Sequence, residues 1–172
     1  MIGWRGHTRG EAGYTLVELI VVLAIIGVLL GLASFSFHGW QVKSNVEAQV
    51  RQMVTDISEL RVRAMTMKKR HLITINPGNY AFQCYTSDNY DSTILTNIPG
   101  GTHNVSYQLK KNATTYYSGE TYEIDQRGML VGAKATVFVD YAGSANMDCL
   151  SINTVRVNPG KMDATGAICN DQ

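Results

Sequence analysis

The longest feature of the polarity pattern is a run without Asp, Glu, Lys or Arg from Leu19 to Val42, rich in Leu, Ile, Val and Ala and containing no Pro or Asn. Rising about 1.5 Å per helical residue, it reaches roughly 36 Å. A bilayer core is about 30 Å thick, so the run predicts a single membrane-spanning helix. Beyond it, Val46, Val50, Met53, Ile57, Leu60, Ala64 and Met67 recur at alternating spacings of four and three, which puts one apolar stripe on a helix. Arg51, Asp56, Glu59, Arg61 and Arg63 fall on other faces, and no Pro or Gly interrupts Val42 to His71. One helix of about 55 residues, about 85 Å long, therefore starts near Tyr14. Its second half has too narrow a stripe for burial all round and should pack against the carboxy-terminal part of the chain. A coiled-coil dimer over about three heptads is the rival.

From His71 the period changes to two. Leu72–Ile75, the turn Asn76-Pro77-Gly78-Asn79 and the returning Tyr80–Tyr85 predict a β-hairpin. Asp88 to Gly101 is polar and turn-rich and reads as a loop. Val105–Leu109, Thr121–Asp125, Ala135–Asp140 and Ser151–Val157 predict further strands, punctuated by Gly119, Gly128, Gly143 and Pro159-Gly160. About 100 residues of short strands suffice for a small sheet or sandwich with its own core. The expected fold is α+β, a long amino-terminal helix, membrane-spanning in its first half and packed by its second half on a carboxy-terminal antiparallel β-sheet domain. The segments are 1–13, 14–41, 42–70 and 71–172.

Charge sharpens this picture at the amino end. Residues 1–13 hold Arg5, Arg9 and Glu11, are glycine-rich, and lack the apolar core of a secretory signal. Basic residues on this side place it in the cytoplasm and the bulk of the chain in the periplasm. Taking those two arginines and one glutamate from the 15 basic and 14 acidic residues leaves 13 of each, a nearly neutral remainder. Glu18 is the one carboxylate within the apolar stretch. At a bilayer centre it costs roughly 2.5–3.5 kcal/mol, and less near an interface. It either snorkels to the headgroups from the helix start or meets a partner charge in an assembly.

Gly13 followed by Tyr14-Thr15-Leu16-Val17-Glu18 and then the apolar run resembles the class III leader junction of type IV prepilins and type II secretion pseudopilins. The resemblance implies that 1–13 is a leader, that a prepilin peptidase cuts between Gly13 and Tyr14 and methylates the new amino terminus, and that Glu18 serves filament assembly. Two departures stand out: Tyr14 replaces the usual Phe, and the proline common further along the helix is absent, Phe35 standing in that neighbourhood, which leaves no basis for a kink there. The order Glu123-Ile124-Asp125-Gln126-Arg127-Gly128, a strand, then Val155-Arg156-Val157-Asn158-Pro159-Gly160 is similar, more loosely, to the GspH/FimT family of minor pilins and pseudopilins. That likeness implies a minor pilin that primes or caps assembly of a type IV pilus. The alternatives are a minor pseudopilin of a type II secretion system and a DNA-binding minor pilin for natural transformation. The implied partners are the prepilin peptidase, other major and minor pilin-like subunits and the inner-membrane assembly platform, and the implied location is the inner membrane, then the filament. Gly27 and Gly31 form a Gly-x-x-x-Gly pair. It allows close helix approach, or reflects the ordinary frequency of glycine in membrane helices, or, as the family implies, eases local loss of helix by about 1 kcal/mol each relative to Ala.

Candidate chemistry is sparse. There is no His-Glu-x-x-His, Gly-x-Ser-x-Gly, Cys-x-x-Cys or phosphate-binding Gly-Lys loop, so neither an enzyme, a cofactor nor a metal is expected. His7 leaves with the leader, His38 sits at the membrane exit, and His71 and His103 read as solvated. Asp88, Asn89 and Asp91 crowd one loop and could hold calcium, but their spacing matches no EF-hand and a solvated loop is the preferred reading. Asn104 and Asn112 head Asn-x-Ser/Thr triplets, a pattern too frequent to carry weight. Three cysteines in an oxidising compartment allow three single pairings. Cys149–Cys169 is the favoured one, closing a loop of about 20 residues worth roughly 3 kcal/mol, with Cys84 left as a small hydrophobe. Lys68, Lys69, Arg70, Lys110 and Lys111 are the candidate DNA contacts. Affinity for DNA comes largely from phosphate neutralisation, and a net charge near zero offers no broad basic face.

Overall fold

The computed structural model describes residues 13–86, 95–163, 165–166 and 168–171, without the side chains of 32–36. Helix α1 spans Leu16–Met67, followed by ten strands: β1 His71–Ile75, β2 Asn79–Tyr85, β3 Leu95–Asn104, β4 Leu109–Lys110, β5 Glu120–Ile124, β6 Leu130–Val131, β7 Ala135–Val139, β8 Cys149–Ile152, β9 Val157–Met162 and β10 Cys169–Asp171. The chain divides into two compact units, Met1–Gly39 and Trp40–Gln172.

Within the second unit the strands form two five-stranded sheets, ordered β3-β2-β1-β5-β6 and β10-β9-β8-β7-β4, and every pairing is antiparallel. The fold is the α+β arrangement that the change of period from 3.6 to 2 implies. Val46, Val50, Met53, Ile57, Leu60 and Ala64 of the helical stripe join Ile73, Ile75 and Ile124 of the first sheet and Val137, Leu150 and Ile152 of the second in one core. Each fully buried aliphatic side chain contributes about 1.5–3 kcal/mol. The stripe stops one step early, Met67 being 56% exposed. The helix ends there because Lys68 adopts the left-handed conformation, φ 54°, and turns the chain into β1.

Several local expectations are corrected. Asp56 and Arg61, expected on outward faces, are buried. Arg61 donates to the carbonyls of Asn153 at 2.6 Å and Thr154 at 3.4 Å, which ties the helix to the end of β8. Of the expected loop from Asp88 to Gly101, residues 88–94 lie outside the described residues, and Leu95 onward is β3, paired with β2 across a bulge between Ala81 and Gln83. Pro99-Gly100-Gly101 reads as a turn by composition. It is accommodated because β3 is an edge strand, where proline's missing N–H costs no ladder bond.

The strand expected at Val105–Leu109 is reduced to β4. Its approach is tied to the hairpin turn instead, through Val105 N–H to the Gly78 carbonyl and Leu109 N–H to that of Pro77. The strand expected over Ser151–Val157 is two, β8 and β9, joined by a turn closed by Asn153 N–H on the Arg156 carbonyl. Pro159-Gly160 lies inside β9, not between strands. A Cβ at Gly160 would collide with the Asn170 carbonyl oxygen and stand 2.8 Å from Cys169 Sγ, so the glycine marks a close backbone approach. Cys149 and Cys169 are joined by a disulfide, their Cα atoms 5.9 Å apart.

Candidate processing and assembly site

Gly13, Tyr14 and Thr15 precede the helix in irregular conformation. Thr15 is its amino-terminal cap: its Oγ1 accepts from the Glu18 N–H at 3.2 Å, and its carbonyl accepts from Leu19 N–H at 3.2 Å. Thr-x-x-Glu is the spacing of a capping box, a local signal at the junction that hydrophobic patterning passes over. Glu18 thus has two roles at once. Its backbone is fixed by Thr15, and its carboxylate sits in the first turn, where the helix dipole favours negative charge. Among the described residues no ion pair involves it. Gly13 has nothing within 4 Å of the place where a Cβ would stand, and Tyr14 is 78% exposed. Nothing among the described residues therefore demands glycine at 13.

From Leu16 to Gly31 every side chain is exposed, including Leu19, Ile20, Leu23, Ile26, Leu29 and Leu30. A continuous apolar surface of this kind needs lipid or protein to cover it. Among the described residues no helix is long and apolar enough to cross a membrane. The described side chains of this run stop at Gly31, short of the roughly 20 residues a crossing takes, and the Leu19–Val42 run continues through 32–36, whose side chains lie outside them. Among the described residues, Gly27 and Gly31 also have nothing within 4 Å of the place a methyl group would occupy.

The candidate DNA contacts are not brought together as a basic face. Arg70 is buried, paired with Glu123 at 2.9 Å and laid over the Tyr85 ring at 4.3 Å. Lys110 is 2.7 Å from Asp140, which also accepts from Tyr116. These bonds, that of Lys110 first, hold the Asp140 carboxyl below the usual carboxylate range. Lys111 lies 3.8 Å from Glu120, Lys69 donates to the Thr86 carbonyl at 3.3 Å, and Lys68 is exposed at the helix end.

Two clusters were missed by sequence reasoning, and both correct the view of His71 and His103 as solvated. Asp56 accepts from Tyr80 at 2.5 Å and from Gln52 at 2.7 Å, and stands 3.3 Å from His103 Nδ1, while His103 stacks on Tyr80 with centroids 5.0 Å apart. Burial, then the bond to Asp56, push the Tyr80 phenol up. His71 is wholly buried and directly opposite Cys84 in the β1–β2 register. The alternation His71, Ile73, Ile75 carried that second signal, since it places the histidine on the apolar face.

Residues 8–34 match the prokaryotic N-terminal methylation motif. The chain is 35% identical over 72 residues to a probable minor fimbrial protein of Dichelobacter nodosus, an alignment covering 42% of this chain and 42% of that one. It thus spans less than half the length of that relative. No solved structure matches the chain. The methylation motif at the amino end, the partial likeness to a minor fimbrial protein and a long helix leading into an antiparallel β domain together support a likeness to type IV minor pilins.

Proposed function

We propose that the chain is a precursor cut between Gly13 and Tyr14 by a prepilin peptidase, methylated on Tyr14, and held in the inner membrane by residues 14–41 with residues 42–172 in the periplasm. It is then drawn into a type IV pilus as a minor subunit that primes or caps assembly. The reading is carried by the junction: a methylation motif over 8–34 in which Gly13 is unconstrained by its surroundings and Glu18 is capped but has no ion-pair partner among the described residues. Beside the platform and the other pilins, the natural partner for Glu18 is the amine of Tyr14 on a neighbouring subunit, since opposite charges in a low-dielectric bundle offset each other's desolvation. The DNA reading draws little support, because Arg70, Lys110 and Lys111 are already ion-paired.

Mass spectrometry of protein purified from cells with an active peptidase tests the proposal. The expected amino terminus is methylated Tyr14, and Gly13→Val leaves full-length precursor in the membrane because a branched Cβ obstructs the peptidase at a position the fold itself leaves open. Intact Met1 in the wild type would end this reading.

A further inference from the structure

His71 is the least expected buried group in the domain. Its Nδ1 lies 2.9 Å from the Lys69 carbonyl. A carbonyl only accepts, so the proton sits on Nδ1 and Nε2 carries the lone pair. That Nε2 is buried and has no hydrogen-bond partner among the described residues. An imidazole whose far N–H is fixed by a backbone carbonyl and whose near nitrogen is left bare is the arrangement found at metal-ligating histidines.

The residue directly across the ladder is Cys84, a thiol outside the disulfide. Opposed residues of an antiparallel pair share a face, their Cβ atoms about 4.5–5.5 Å apart. His71 and Cys84 both line one cavity of about 380 Å³, together with the Met67 side chain at the end of α1 and the cations Arg63 and Lys69.

We propose that His71 Nε2, Cys84 Sγ and Met67 Sδ form a binding site for a soft monovalent metal ion, copper(I). Thiolate and thioether are the donors that select copper(I). Charge points the same way: one thiolate neutralises a monovalent ion, whereas a divalent ion would leave excess positive charge beside Arg63 and Lys69. A tetrahedral zinc site is not offered, since among the described residues no group of three or more His, Cys, Asp or Glu could hold a metal. The expectation of no metal came from the absence of local motifs such as His-Glu-x-x-His and Cys-x-x-Cys, whereas these three residues share no such motif and His71 meets Cys84 across a β ladder. On binding, the Cys84 S–H bond is replaced by S–Cu and the proton goes to solvent, with no change of oxidation state. The proposal is independent of the assembly reading.

The test is anaerobic titration of the full-length protein in detergent with copper(I), against a coloured copper(I) chelator. One ion per chain is expected, with proton release. Cys84→Ser should abolish binding while the circular dichroism and the Cys149–Cys169 bond are unchanged. Met67→Leu, at an exposed position that does not endanger folding, should weaken it about tenfold or more, the scale on which even outer-shell partners of a metal count. Absence of binding, undiminished binding in either variant, or tighter binding of zinc(II) than copper(I) would overturn the proposal.

Discussion

Glu18 illustrates how one side chain answers to two levels of structure. Its N–H is held by Thr15 Oγ1, and such a cap is worth about 1 kcal/mol. That bond belongs to the backbone and survives truncation of the side chain. Under the proposed processing, Glu18→Ala should therefore keep the helix start, insert, and be cleaved and methylated to the same extent as the wild type. What it should lose is incorporation into filaments, measured by immunoblot of sheared fibres against the membrane fraction. Incorporation at the wild-type level would leave headgroup snorkelling as the better account of the carboxylate. Of the residues that the sequence misplaced, Asp56, Arg61 and His103 are polar groups whose surroundings come from distant parts of the chain, whereas the alternation His71, Ile73, Ile75 did carry the burial of His71. Asp56 meets Tyr80 24 positions away and Arg61 meets Asn153 92 positions away, and no local pattern encodes a contact at such separation.

At the scale of elements, Gly160 is the point where β9, β10 and the disulfide converge. A Cβ there would strike the Asn170 carbonyl and crowd Cys169 Sγ, and neither is the far end of a flexible side chain. Gly160→Ala should cost about 1–3 kcal/mol, the range for overpacking, seen as a lower thermal midpoint by circular dichroism with residues 1–41 unaffected. An unchanged midpoint would mean that β10 yields without cost.

The same strand shows why only part of the sheet architecture was legible. The hairpin β1–β2 announces itself through strict alternation around Asn76-Pro77-Gly78-Asn79, and its turn is closed by Asn76 N–H on the Asn79 carbonyl at 2.9 Å. The helical stripe is equally plain, since its period is long and unbroken. Pro159-Gly160 and Pro99-Gly100-Gly101 carry the composition of turns, yet tertiary pairing sets both in strands. Local propensity is the weaker term where an edge or a close backbone approach decides.

For the molecule as a whole, the question is which surface drives assembly. Unit Trp40–Gln172 encloses its own core, and among the described residues its exposed large apolar side chains, among them Val62, Met65, Val131 and Val155, are few beside the apolar run Leu19–Leu30. The apolar area that needs covering is thus concentrated in the helix, while the β domain is closed and, with the leader removed, the chain carries 13 basic and 13 acidic residues. A domain of this kind has little reason to self-associate, so residues 40–172 should be monomeric in solution, as size-exclusion chromatography with light scattering would record. In the proposed assembly, the contacts that place the subunit in a filament are made by the helix with other pilin-like helices. In the proposed minor role, that interaction is needed in a few copies, to lower the cost of drawing the first helices out of lipid, and not along the whole fibre. Low abundance is the consequence. Quantitative proteomics of sheared filaments should find this chain at a small fraction of the most abundant pilin, cross-linked through its helix to different pilin-like chains; a share comparable to the most abundant pilin would make it a main building block and overturn the priming role.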